Sequence, residues 1–167
     1  MKKVLLFLTM VFLVCAASAQ TKFSIPVPTL EQKYNLAKVF MYNNVLAAIN
    51  VAKSAGMTVE EFAKKEAELY KWNEDMGYEQ FVNTVLYQYS CLSDSIKIVD
   101  QSVEKVVFAV RNIYPQLQNQ GVFLGVTFDE FVQWTDAMYS VIANNIKLKP
   151  TCNAKKIQGG MEISISR

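Results

Sequence analysis

The chain has 167 residues, 17 of them basic and 15 acidic, and no histidine. The missing imidazole excludes the commonest general base, the commonest zinc ligand and every Ser-His or Cys-His nucleophilic pair. A formal charge of only +2 excludes the basic stripe that nucleic acid binding requires, and no metal-ligating set or cofactor motif stands in the sequence.

Lys2 and Lys3, the apolar run Val4 to Val14, and Ala17-Ser18-Ala19 have the order of a secretory signal peptide with its cleavage site. The expected leader is residues 1–19. The mature chain is expected to be one domain, 20–167, beginning at Gln20 and working in the periplasm or outside the cell. The apolar run is too short to span a bilayer, and no second run of 18 or more apolar residues follows, so the mature chain should lack a transmembrane segment. Cys15 could mark a lipid anchor, but Val14 is bulkier than the small residue such a site needs, and a better cleavage site follows at once. Cys91 and Cys152 remain after cleavage. They either pair, which would stabilise the fold by roughly 4 kcal/mol, or stay apart as small buried hydrophobes.

Pro26 and Pro28 mark an extended lead-in. From Thr29 to about Ser54, ending at Gly56, apolar residues cover nearly the whole helical circumference, which predicts a buried central helix. Asn43, Asn44 and Asn50 interrupt it and need partners, either on a neighbouring element or on a ligand. Thr58-Val59-Glu60-Glu61 is a capping box and opens a second helix to about Tyr70, with Trp72 to Gly77 as a turn. Glu60 and Glu61 sit where negative charge suits the helix dipole, so they are read as structural rather than catalytic.

Between Tyr78 and Leu117 apolar residues follow an unbroken 3,4 spacing, which taken alone argues one long helix. Such a helix would be roughly 60 Å long, against about 40 Å across for a domain of this size. The cluster Ser90, Ser93, Asp94 and Ser95 favours a break near Cys91. Beyond it Ile96, Ile98, Val99, Val106, Val107 and Val110 are β-branched, and Asp100-Gln101-Ser102 offers a turn. The expectation is a hairpin of about 95–100 with 104–111, in which Val106, Phe108 and Val110 meet the helices while Val107 and Ala109 face away.

A second capping box, Thr127-Phe128-Asp129-Glu130, opens a helix to about Ile146, and Pro150 stops any continuation. Its surroundings repeat the earlier ones: Gly56-Met57-Thr58-Val59-Glu60-Glu61-Phe62 matches Gly125-Val126-Thr127-Phe128-Asp129-Glu130-Phe131, and Tyr70 falls on Tyr139. Two independent uses of one helix start explain this more simply than a duplication. After Gly159-Gly160, Met161 to Ser166 alternates apolar and polar as a half-buried strand does. Ala154 to Gln158 is a candidate for one more strand. The fold class expected is α+β: four main helices packed on a small antiparallel sheet made of the hairpin at about 95–111 and the C-terminal strand 161–166. The alternative is an all-α bundle with a long central helix over 78–117.

The two glycine-threonine signatures, Trp72-Asn73 and the terminal Ile163-Ser164-Ile165-Ser166-Arg167 resemble a group of small exported bacterial proteins without established function. More distantly, the order of elements is similar to L-2-amino-thiazoline-4-carboxylate hydrolase-like and 4-vinyl reductase-type domains. That resemblance implies helices against a twisted antiparallel sheet around a small-molecule pocket. The family's cysteine-proline pair after the second hairpin strand reads Asn112-Ile113-Tyr114-Pro115 here, with proline kept and cysteine missing. The histidine of the hydrolase-like members is absent, so no catalytic residue carries over.

Ten Phe, eight Tyr and two Trp around few polar groups suit a pocket for a small apolar or aromatic ligand. Phe40, Asn44, Tyr87, Tyr89, Phe108 and Trp134 are its candidate lining. A protein–protein or structural role, with Trp72, Tyr78 or Trp134 exposed for docking, is the alternative. A hydrolase is the least supported, because Cys91, Cys152 and the serines have no evident base.

Overall fold

The structure, a computed structural model, describes residues 26–70 and 75–167. The expected leader, Cys15 and Trp72 lie outside the described residues. The chain divides into two compact units, residues 1–33 and 34–167. In the first, residues 26–29 are extended and a capping box starts the first helix. The Thr29 hydroxyl accepts the Gln32 backbone N–H at 3.2 Å, and the Gln32 side-chain Oε1 accepts the Thr29 N–H at 2.8 Å.

The fold is α+β. Helices α1 (Leu30–Ser54), α2 (Val59–Leu69) and α3 (Tyr78–Leu92) precede strands β1 (Ser95–Gln101) and β2 (Lys105–Arg111). A short helix α4 (Pro115–Gln120), a two-residue ribbon of β3 (Val122–Phe123) and β4 (Val126–Thr127), and helix α5 (Phe128–Asn144) follow. The last strands are β5 (Thr151–Ile157) and β6 (Gly160–Ser166). The main sheet is antiparallel in the order β1-β2-β6-β5. The four main helices and the hairpin fall where the sequence puts them. The turn comes two residues later than expected, at Ser102 to Glu104, and β5 begins three residues before Ala154. The long-helix alternative over 78–117 is not what forms. Ser93 ends α3 with its N–H on the Tyr89 carbonyl, and after a bend at Asp94 the strand begins at Ser95.

Register explains the core. Val106, Phe108 and Val110 pair with Ile165, Ile163 and Met161, and all six are buried on the helix-facing side. Cys152 and Ala154 of β5 extend this face through Ile165 and Ile163. Val107 and Ala109 face away as expected, yet both are only 6 % exposed. β2 is an inner strand, and across the register Ala109 stands between Lys97 and Glu162, whose long stems can shield so small a residue.

α5 lies against β5 and α2. The Asp136 carboxylate accepts the Ala154 N–H at 2.6 Å, and the Ser140 hydroxyl donates to the Cys152 carbonyl at 2.8 Å. α3 reaches the sheet through the Tyr78 hydroxyl on the Ile165 carbonyl and the Tyr89 ring beside Phe108. α1 differs from its expectation. It is not buried all round: Tyr42, Leu46, Ile49 and Ala52 turn inward, while Tyr34, Leu36, Phe40, Met41 and Val51 are exposed. Continuous apolarity cannot say which side a helix buries, and here only one stripe finds a neighbour.

Both glycine-threonine signatures fold alike. Gly56 and Gly125 take left-handed φ values of +83° and +75°, a conformation glycine adopts without a side-chain clash. At Gly125 a side chain would also run into the Asn50 amide of α1.

Candidate functional site

A cavity of about 360 Å³ lies among α1, α3 and α5, with Tyr70 from the end of α2. α1 contributes Met41, Tyr42 and Val45. Gln88, Tyr89 and Leu92 come from α3, and Phe131, Trp134, Met138, Tyr139 and Ile142 from α5. Each contributing helix presents residues three or four apart, the spacing that keeps side chains on one face. Met41 and Tyr70 are the exposed members and form the rim.

The aromatic rings support one another. Phe131 stacks on Trp134 at 5.8 Å and meets the Tyr42 ring edge-on at 6.1 Å, while Tyr89 and Tyr139 stand 5.9 Å apart. Their polar ends are anchored in the protein. The Tyr42 hydroxyl donates to the Leu92 carbonyl at 2.9 Å, Tyr139 to Gln88 Oε1 at 2.7 Å, and the Trp134 indole N–H to Glu66 Oε2 at 2.7 Å. Burial pushes the phenol pKa values of Tyr42, Tyr89 and Tyr139 up, so these groups remain neutral across the physiological range. No Asp, Glu, Lys or Arg lines the cavity among the described residues. Gln88 supplies the remaining hydrogen-bonding capacity: its carbonyl oxygen is taken by Tyr139, which leaves its amide N–H groups for another acceptor.

Of the six lining candidates, the structure brings two into the cavity, Tyr89 and Trp134. Phe108 backs it, with its ring 6.4 Å from Tyr89. Three fall elsewhere. Phe40 is 59 % exposed and Tyr87 71 % exposed, each on the solvent side of its helix, and Asn44 is exposed as well. Of the three asparagines expected to find partners, Asn43 does so on a neighbouring element, where its Oδ1 accepts the Tyr114 hydroxyl. Tyr42, Gln88, Met138 and Tyr139 were missed. The one sequence signal for any of them was the alignment of Tyr70 with Tyr139, since both of those equivalent tyrosines line the cavity. Tyr78 and Trp134, considered as exposed docking aromatics, are buried.

Among the described residues that line the cavity there is no Ser, Thr, Cys or Lys. Cys91 and Cys152 are both free thiols, so the pairing weighed above is not formed. The Cys152 thiol is pushed up to about 12 by burial and by the nearby Asp136 carboxylate, which leaves it unreactive at neutral pH. No cluster of three or more metal-ligating side chains occurs among the described residues. No described helix is long and apolar enough to cross a membrane. Compared with protein-family models, curated proteins and solved structures, the chain matches none.

Proposed function

We propose that this is an exported, non-catalytic binding domain whose cavity takes a small, neutral, aromatic or largely apolar molecule. The observation carrying the proposal is a 360 Å³ space walled by aromatic rings, among which Tyr42, Trp134 and Tyr139 have their polar ends already bonded inside the protein. That volume is within the range of about 300–1,000 Å³ typical of small-molecule sites. With no countercharge on the walls, an ionised ligand would lose hydration without compensation. A flat ring edge-on or stacked against Tyr42, Phe131 and Trp134 would replace ring–water contacts with ring–ring ones, and an acceptor atom on it would suit the Gln88 amide. The order of elements, similar to that of 4-vinyl reductase-type domains, supports the same reading, and the basic-apolar-small order of residues 1–19 supports export.

The neutral fluorophore N-phenyl-1-naphthylamine tests the site. It should bind the wild-type protein and gain fluorescence. Met138→Trp, which fills the space, should weaken binding at least about tenfold, roughly 1.4 kcal/mol. Equal binding by the filled variant, or tighter binding of benzoate than of benzamide, would overturn the proposal. Export is checked by intact-mass measurement in the native host, which should show a chain beginning at Gln20.

A further inference from the structure

We propose that the exposed face of α1 seats a second copy of this chain, the two helices running antiparallel about a twofold axis. Tyr34, Ala37, Met41, Asn44, Ala48 and Val51 recur at intervals of 3, 4, 3, 4 and 3 along α1. This is the spacing of a helix–helix seam, and all but the half-exposed Ala48 are open to solvent. None of the six carries a charge. The nearest charged side chain within the stripe's span, Lys38, is held by Asp94 at 3.2 Å. The opposite face of the same helix is already occupied by the core, so the seam is surplus to the fold of one copy.

The occupant follows from the distribution of bulk. Tyr34, Phe40 and Met41 lie in the first half of the face, whereas Ala47, Ala48 and Val51 lie in the second. Antiparallel pairing centred between residues 42 and 43 sets Tyr34 opposite Val51, Ala37 opposite Ala48, and Met41 opposite Asn44. Tyr34 then meets the smaller Val51 and Met41 the smaller Asn44, the Ala37 and Ala48 pairs between them let the helices approach closely, and the helix dipoles oppose favourably. Parallel pairing would set Tyr34 on Tyr34 and Ala48 on Ala48, leaving a wedge. A twofold interface requires such self-complementarity. Asn44 of each copy stands within a turn of the axis, where the two amides can bond each other and set the register. A specific twofold interface needs at least about 600 Å² from each copy, and the stripe from Tyr34 to Val51 runs along about 27 Å of helix.

Sedimentation velocity across roughly 1 to 100 µM should show a dimer that dissociates at the low end. Val51→Glu and, at the other end of the stripe, Tyr34→Glu should each raise the dissociation constant at least about tenfold. Both positions are exposed, so circular dichroism and the melting midpoint of the dissociated protein should be those of wild type. In a Cys91→Ser background, Tyr34→Cys protein mixed with Val51→Cys protein should form a mixed disulfide. Self-linking of Val51→Cys in place of the mixed product would overturn the antiparallel assignment. A wild type monomeric at every concentration, or an unaffected dimer in both glutamate variants, would overturn the seam. So would a monomer that partitions onto phosphatidylcholine vesicles, which would assign the face to lipid.

Discussion

At Thr58 the hydroxyl accepts the Glu61 N–H at 3.1 Å, and Glu61 returns a carboxylate oxygen to the Thr58 N–H at 2.8 Å. Thr127 and Glu130 repeat the exchange at 3.2 and 2.7 Å. Thr58→Ala and Thr127→Ala should each cost about 1 kcal/mol in urea melts, with the fold retained. The glutamates carry a pH dependence. Bonds from the Thr58 backbone and hydroxyl hold the Glu61 carboxyl below its usual range. At Glu130 burial pulls upward, but Lys53, at 2.5 Å, and Thr127 outweigh it, so it too lies low. A depressed folded pKa gives stability that is complete above the unfolded value, about 4.3, and is lost as pH falls through the folded one. Urea midpoints should therefore fall as pH drops from about 5 towards 3, and less steeply in Glu130→Gln. The thiols give a separate check: native protein should expose Cys91 to a thiol reagent and withhold Cys152 until denatured. The two caps were legible in the sequence because their partners lie three residues apart. The bonds from Tyr42 to Leu92 and from Tyr139 to Gln88 were not, because each spans some fifty residues and depends on packing.

The hairpin could be read because three local signals agreed, the serine cluster, the β-branched density and the turn residues, against a helical spacing that proved incidental. The spacing misled for a simple reason: a dense enough apolar run satisfies both periods. α1 failed in the opposite sense, as composition gave its length to within a residue but not its buried side. The sheet contains one position where a single methyl should matter. A side chain at Gly160 would run into the Val110 carbonyl and the Arg111 backbone across the β2–β6 pairing. Gly160→Ala should destabilise by about 1–3 kcal/mol, by the same urea measurement. Gly77→Ala, where nothing stands within 4 Å, should cost far less.

At the scale of the whole molecule, α+β architecture followed from the sequence because every main element carried its own start or stop signal. The cavity did not, since its walls come from four helices between Met41 and Ile142 and meet only after folding. Aromatic content predicted that a cluster would exist, not which rings would share it. The sheet order has a temporal consequence as well. β6 lies between β2 and β5, yet it follows both in the sequence. A chain made from its first residue presents the five described helices, the β1–β2 hairpin and β5 before the strand that joins them exists. Until then β2 has an open edge and the apolar face of the hairpin has no continuation, and pairing Arg111 with Gly160 closes a loop of 48 intervening residues. Such a chain holds β2 and β5 unjoined until β6 is present to pair with both.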